Sequence, residues 1–335
     1  MNKKVIVLMV GFLLFLAGCS GGNSGSNSGS SGSGFDVNSY SGGSDALTLE
    51  FAEGAPPEKI RDQGRFPFSV RILFENIGEY DIEENSGFVA LAGADASVLG
   101  LTETSQSIPP LRGVKKISDD VRSGGKQTVT FSGLKYTENI GAGTATIPLN
   151  AYACYPYKTL AQGSLCLSGD TYQDYDSDVA LCDIEGNRDS ASSAAPVSVQ
   201  NLEQRPAGDA SIEFQFDIVH KPTTNLGRLF KNSSIESNCL INGNSPTSAG
   251  ANIDEDYVYF EVSTGLENTL TLDCTSEEAG TTPNSGYARL YDNKATVYCT
   301  QDTTGLNEQQ KLLKIDLSYD YLERISTDLL IEHAN

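Results

Sequence analysis

Seven cysteines, two histidines and one run of alternating carboxylates are the residues of this chain whose types and spacing could do chemistry. His220 follows an apolar strand pattern and His333 stands close to the end of the sequence. Neither has a nucleophile and an orienting acid in a recognisable setting, so both read as structural or exposed and the chain reads as a non-enzyme. There is no glycine-rich phosphate loop, no zincin motif and no compact Cys/His spacing, so no cofactor is expected. Asp170, Asp174, Asp176 and Asp178 lie between Cys166 and Cys182. Alternating carboxylates of this kind can offer oxygens to Ca²⁺, which makes Asp174, Asp176 and Asp178 a weak calcium candidate. The pattern is incomplete, because Val179 stands where the turn glycine belongs and no spaced Glu follows, so a solvated acidic loop is the preferred reading. Asp254-Glu255-Asp256 is weaker again. Tyr172 and Tyr175 beside the loop could stack on sugar rings, although most tyrosines here fall on apolar strand faces, where core is the default. Asn232-Ser233-Ser234 is a glycosylation sequon and implies an exposed segment.

The first cysteine stands apart from the rest. Leu16-Ala17-Gly18-Cys19 follows a basic start (Lys3, Lys4) and a short apolar run from Val5 to Ala17, the layout of an export signal too short to remain as a span. It resembles a lipobox. That resemblance implies that residues 1–18 are a lipoprotein signal peptide, that Cys19 carries a thioether-linked diacylglyceryl group, and that Cys19 begins the mature chain. Two acyl chains suffice for stable anchoring, so the expected product is extracytoplasmic and held to the cell membrane through its N-terminal lipid.

The remaining six cysteines are an even set on an exported chain, which points to disulfides in an oxidising compartment. The formal charge of -21 becomes -23 once Lys3 and Lys4 leave with the signal, since that segment contains no acid. A chain this acidic repels phosphate, which excludes nucleic acid as a partner. From residue 19 to residue 45 the composition collapses to Gly, Ser and Asn. Such a tether behaves as a flexible coil of ~28 Å r.m.s. span.

Beyond the tether the periodicity is two. Leu47 to Phe51 reads as a strand, and Phe66, Phe68, Val70, Ile72 and Phe74 alternate with less apolar neighbours up to Asn76-Ile77-Gly78, where Gly78 is expected at positive φ. Gly87 to Leu91, Gln127 to Phe131 and Ala145 to Tyr157 are further strands, and no stretch sustains a helical period. Small residues from Ser190 to Ala195 mark a boundary, after which the signals recur: Val197 to Leu202 opens, Ile212, Phe214, Phe216 and Ile218 alternate, and Asn225-Leu226-Gly227 answers Asn76-Ile77-Gly78. Tyr155, Tyr157, Ala161, Leu165 and Leu167 match Tyr319, Tyr321, Ile325, Leu329 and Ile331 at one offset without a gap. The expectation is an all-β chain of two tandem immunoglobulin-like β-sandwich domains, residues 46–190 and 196–335, each closed by a hairpin.

A strand followed by Asn-x-Gly, in tandem on an exported acidic chain, resembles the CARDB-like immunoglobulin-type domains of prokaryotic surface proteins. More closely, with Ala55-Pro56-Pro57, Glu75-Asn76-Ile77-Gly78, Ala153-Cys154-Tyr155-Pro156-Tyr157 and Ala195-Pro196-Val197, the chain resembles an uncharacterised family of archaeal secreted lipoproteins. The resemblance implies fold and location but no activity, and the long segment between Leu91 and Gln127 departs from a minimal sandwich.

Two function classes follow. The first is a non-catalytic, membrane-anchored surface module for adhesion, envelope assembly or protein binding, with a protein or surface polymer as partner. The second is a lipoprotein that captures a carbohydrate or solute. A hydrolase would need carboxylate pairs that sequence cannot place in space. Parity also argues for a disulfide between the two domains, because Cys154, Cys166 and Cys182 precede the boundary and Cys239, Cys274 and Cys299 follow it. One scheme pairs Cys154 with Cys166 across the closing hairpin, Cys274 with Cys299, and Cys182 with Cys239. Another pairs Cys166 with Cys182 and Cys154 with Cys239. Either would lock the two domains together.

Overall fold

The computed structural model describes residues 39–93, 97–101, 104–118, 120–172, 181–221, 227–232 and 254–334. Cys19, Cys239, Asp174, Asp176, Asp178 and Tyr175 therefore lie outside the described residues.

The chain is all-β, with several sheets. In order the strands are β1 (Leu47–Phe51), β2 (Lys59–Arg61), β3 (Phe68–Asn76), β4 (Phe88–Ala92), β5 (Ser105–Ser107), β6 (Lys115–Ile117), β7 (Asp120–Arg122), β8 (Lys126–Leu134) and β9 (Thr144–Leu167). Then come β10 (Gly186–Asn187), β11 (Ser190–Ser192), β12 (Val197–Pro206), β13 (Ser211–His220), β14 (Arg228–Phe230), β15 (Tyr257–Ser263) and β16 (Leu272–Cys274). The last four are β17 (Glu278–Ala279), β18 (Ser285–Arg289), β19 (Lys294–Asp302) and β20 (Gln309–Glu332).

The alternation read in the sequence is the alternation of burial. Val70, Ile72, Phe74 and Asn76 of β3 face inward while Arg71 and Leu73 face out, and Ile212, Phe214, Phe216 and Ile218 of β13 are all buried. β3 begins at Phe68, however. Phe66 is exposed and lies beneath the Arg61 guanidinium, 5.2 Å from ring centroid to Cζ. β3 sits between β1 and β8 in a three-stranded sheet, and β13 sits between β12 and β19 in a five-stranded sheet ordered β10-β12-β13-β19-β16. The two halves of the chain thus repeat one antiparallel order. The long segment between β4 and β8 adds β5 to the edge of β4 and a separate β6-β7 hairpin.

A third sheet, of ten strands, joins the halves. Its path is β17-β18-β15-β20-β9-β4-β5, with β11, β14 and β2 attached. At its centre β9 and β20 are each 24 residues long and pair antiparallel without a register shift, from Gln309 opposite Leu167 to Glu332 opposite Thr144. The closing hairpins expected from the sequence are therefore single strands. Pro148 and Pro156 bracket the segment Asn150–Cys154 that pairs with β4, so neither proline stands opposite a β4 residue. The small residues at the expected boundary form β11, which pairs with β9. Apolar faces from all three sheets contribute to one contiguous core, and Phe216 of β13 meets Phe260 of β15 at 6.5 Å across the layers.

This geometry corrects one disulfide scheme. Cys154 and Cys166 lie on the same extended strand, twelve residues and about 40 Å apart along it, and cannot meet. Cys166 is bonded to Cys182 with the Cα atoms 5.8 Å apart, and Cys274 is bonded to Cys299, its partner in the β16-β19 register. Cys154 is also disulfide-bonded.

Candidate functional site

A polar network in the core is built by the tyrosines that the repeat singled out. The β9–β20 register sets Tyr155 opposite Tyr321 and Tyr157 opposite Tyr319, so each tyrosine of one half faces the counterpart of its neighbour across the Pro156–Asp320 pair. The four rings are fully buried and meet edge-on or tilted, with neighbouring centroids 6.0 to 6.3 Å apart. Each hydroxyl has a place. Tyr155 donates to Glu323 Oε2 at 2.8 Å, and Tyr319 shares a 3.1 Å contact with Thr159 Oγ1, which itself donates to the Val197 carbonyl at 2.7 Å. Tyr157 donates to Asn76 Oδ1 at 3.4 Å and accepts the Tyr80 N–H at 3.3 Å, while Tyr321 lies 3.4 Å from His220 Nε2. Burial pushes the Tyr155, Tyr157 and Tyr319 phenols above their ordinary values, so they remain neutral hydrogen-bonding groups with no access to substrate. This cluster positions strands.

The glycines of the two Asn-x-Gly segments explain themselves here. A Cβ on Gly78 would stand 1.9 Å from Tyr157 Oη, and one on Gly227 would stand 1.8 Å from Tyr321 Oη. Close approach of a phenol, and not a positive φ, excludes a side chain at Gly78, whose φ lies outside the left-handed region. The expected Asn turn does form, with the Gly78 N–H donating to Asn76 Oδ1 at 3.1 Å.

Both histidines are held by contacts within the fold. His220 is buried edge-on to Tyr321, and burial lowers its pKa to about 4. His333 Nδ1 and the Ala334 N–H both reach the buried Asp62 carboxylate, at 2.9 and 2.6 Å, fastening the end of the chain beside β2. Cys166, Cys182 and Glu308 cluster as metal ligands would, but the sulfurs are bonded to each other and Glu308 Oε1 accepts the Leu181 and Cys182 N–H groups at 2.8 and 3.2 Å. The thiolates a soft metal needs are absent. Tyr172 is exposed at the edge of the acidic loop.

The outward sheet faces offer the open surface. On the five-stranded sheet a groove of about 670 Å³ runs over β13, β19 and β16, with Tyr298 (42% exposed) standing among Glu213, Asp273, Thr275, Thr300 and Asp302. Its counterpart on the three-stranded sheet, about 390 Å³, is lined by Thr48, Glu50, Leu73 and the Glu75–Lys126 ion pair, and its one aromatic lining residue, Phe74, is buried. Sequence reading passed over Tyr298, although Tyr298 and Thr300 alternate with inward Val297 and Cys299 in β19 and mark the exposed face. A second surface feature is a ladder on β15 and β18. Lys231 lies over Tyr287 at 4.3 Å and Tyr257 at 5.6 Å, and Arg289 lies over Tyr257 and Tyr291 at 5.5 Å each. Lys231 also pairs with Glu278, and Arg228 with Glu255 at 2.6 Å, so these cations are satisfied within the chain and do not form a basic patch. The sequon's Asn232 accepts the Tyr287 hydroxyl at 2.9 Å.

No protein-family model matches the chain, and no curated protein does. Among solved structures, the partial N-terminal region of an enterococcal surface protein aligns over 85% of this chain and 87% of its own at 9% identity and a TM-score of 0.18. The secreted serine protease VesC from Vibrio cholerae aligns over 81% of this chain and 50% of its own at 13% identity and a TM-score of 0.15. Likenesses at these scores carry no functional argument.

Proposed function

We propose that this is a non-catalytic surface lipoprotein: two immunoglobulin-like β-sandwiches, anchored through Cys19 and raised on a Gly/Ser tether, that serve adhesion, envelope assembly or protein binding. The observation that carries the reading is the β9–β20 ladder. Its 24 uninterrupted pairs run through both halves, which supports a stiff element suited to spacing or scaffolding more than a hinged capture protein. The disulfide at Cys154 fits the same role if Cys239 is its partner, since that bond would add a covalent tie between the halves. Labelled fatty acid should be incorporated into the wild-type chain and not into Cys19→Ser, and a chain secreted free in both forms would end the anchor proposal. A non-reducing peptide map should link Cys154 to Cys239.

A second reading is favoured by the groove under Tyr298. An exposed aromatic ring flanked by Asp and Thr side chains is a surface on which a sugar ring can stack and hydrogen-bond, so the alternative is a carbohydrate- or solute-capturing lipoprotein. A glycan and metabolite screen run beside a pull-down from the native envelope separates the two.

A further inference from the structure

One buried pair in the second half is placed for a covalent step. Thr264 follows β15 in the ten-stranded sheet, and Gln301 stands on β19 in the five-stranded sheet. They are 3% and 0% exposed, and Thr264 Oγ1 donates to Gln301 Oε1 at 2.7 Å. The same hydroxyl lies 3.2 Å from Glu267 Oε1. That carboxylate accepts the Gly265 N–H at 3.0 Å and the Thr264 N–H as well, and these bonds keep it ionised against the desolvation that opposes its charge. The other side of the amide is fixed, with Gln301 Nε2 donating to the Thr271 and Asp302 carbonyls at 3.2 and 2.8 Å. A buried hydroxyl and a buried acyl carbon therefore meet, with the carboxylate of the exposed residue Glu267 reaching the hydroxyl from the surface side, the arrangement of an activated nucleophile beside its electrophile.

We propose that Thr264 and Gln301 form an intramolecular ester cross-link. Glu267 takes the hydroxyl proton, Thr264 Oγ1 adds to Gln301 Cδ, and the tetrahedral intermediate expels the amide nitrogen. Glu267 returns the proton to that nitrogen, which departs as ammonia. One C–N bond is broken and one C–O bond is made, and no oxidant, reductant or cofactor is required. Burial then protects the ester from hydrolysis. The bond would tie the two opposed sheets, whereas Cys274–Cys299 joins neighbouring strands within one sheet. In the strand registers Ser263 corresponds to Ala92 and Gln301 to Leu134, so Thr264 is matched by Gly93 and the cross-link belongs to the second half alone.

The test is peptide mass spectrometry of the full chain, purified folded, then reduced, alkylated and digested. A linked pair of peptides containing Thr264 and Gln301, lighter than the two together by one ammonia, is the expected result, and hydroxylamine should split it to leave a hydroxamate at Gln301. Thr264→Val should abolish the pair, and Glu267→Gln should slow its formation by at least roughly a hundredfold. Separate peptides at full mass from folded wild-type protein would overturn the proposal whatever the variants do, as would a linked pair persisting in Thr264→Val.

Discussion

The two ends of the tyrosine cluster are the most instructive comparison within the molecule. At one end Tyr157 presses its hydroxyl against Gly78 and finds Asn76 and the Tyr80 N–H; at the other Tyr321 presses against Gly227 and finds His220. Between them the matching hydroxyls of Tyr155 and Tyr319 find a buried carboxylate, Glu323, and a threonine, Thr159, at matching positions of the paired strands. In both halves a phenol oxygen lies where a glycine Cβ would stand, while the polar partners of that phenol differ. The steric part of the arrangement is thus specified twice by the same residue types, and the polar part is met by any group that can satisfy a buried hydroxyl.

The largest effects should come from the steric part. Gly78→Ala forces a Cβ against Tyr157 Oη and also within 2.8 Å of the Ala194 carbonyl and 2.9 Å of the Asp45 carbonyl, backbone that cannot move aside. We expect a loss of roughly 3 kcal/mol or more in urea unfolding, and about 2 kcal/mol for Gly227→Ala, whose nearest atoms all belong to the Tyr321 side chain. Near-zero costs for both would show that the contacts are looser than described.

Acidification should separate the halves next. His220 titrates near 4 when folded against an ordinary 6.5, so between those values the unfolded chain binds the extra proton. Stability is lost as pH falls through that window, by up to roughly 3 kcal/mol, and is retained above it. Tyr157 meets no titrating partner in Asn76. His220→Asn should therefore flatten the slope of the urea midpoint between neutral pH and the window's lower end, and an unchanged slope would remove His220 as its source.

Smaller differences distinguish the hydroxyls. Tyr155→Phe withdraws a donor from the Glu323 carboxylate and should cost about 2 kcal/mol, whereas Tyr319→Phe leaves Thr159 bonded to the Val197 carbonyl and should cost about 1 kcal/mol. Equal costs would mean that Glu323 does not depend on the phenol. The smallest effect on stability, within about 0.5 kcal/mol, is expected for Tyr298→Ala on the outer face. On the capture reading the same substitution abolishes glycan binding, and on the scaffold reading it changes nothing.

Much of the fold was legible as alternation. Val70, Ile72 and Phe74, and again Ile212, Phe214, Phe216 and Ile218, announce inward faces because a strand turns successive side chains to opposite sides. The repeat was legible in the tyrosine spacing, and the bond between Cys274 and Cys299 followed from their shared apolar faces. The course of β9 was not legible. The segment from Tyr155 to Leu167 reads locally as a closing hairpin, yet Pro156 lies just past the segment paired to β4, and the missing Cβ of Gly163 makes room for Leu202 Cδ2, which one would meet at 2.5 Å. Local turn signals were outweighed by a partner strand, β20, of equal length and fully in register.

The sequence by itself determined strand content, inward faces and the equivalence of the two halves, because these depend on residue type and period along a single strand. Tertiary structure alone decided which strands pair, that one sheet runs through both halves, and which side chains meet. Tyr157 with Gly78, Tyr321 with Gly227, and Thr264 with Gln301 and Glu267 are brought together by sheet order and register, and no spacing along the chain encodes either.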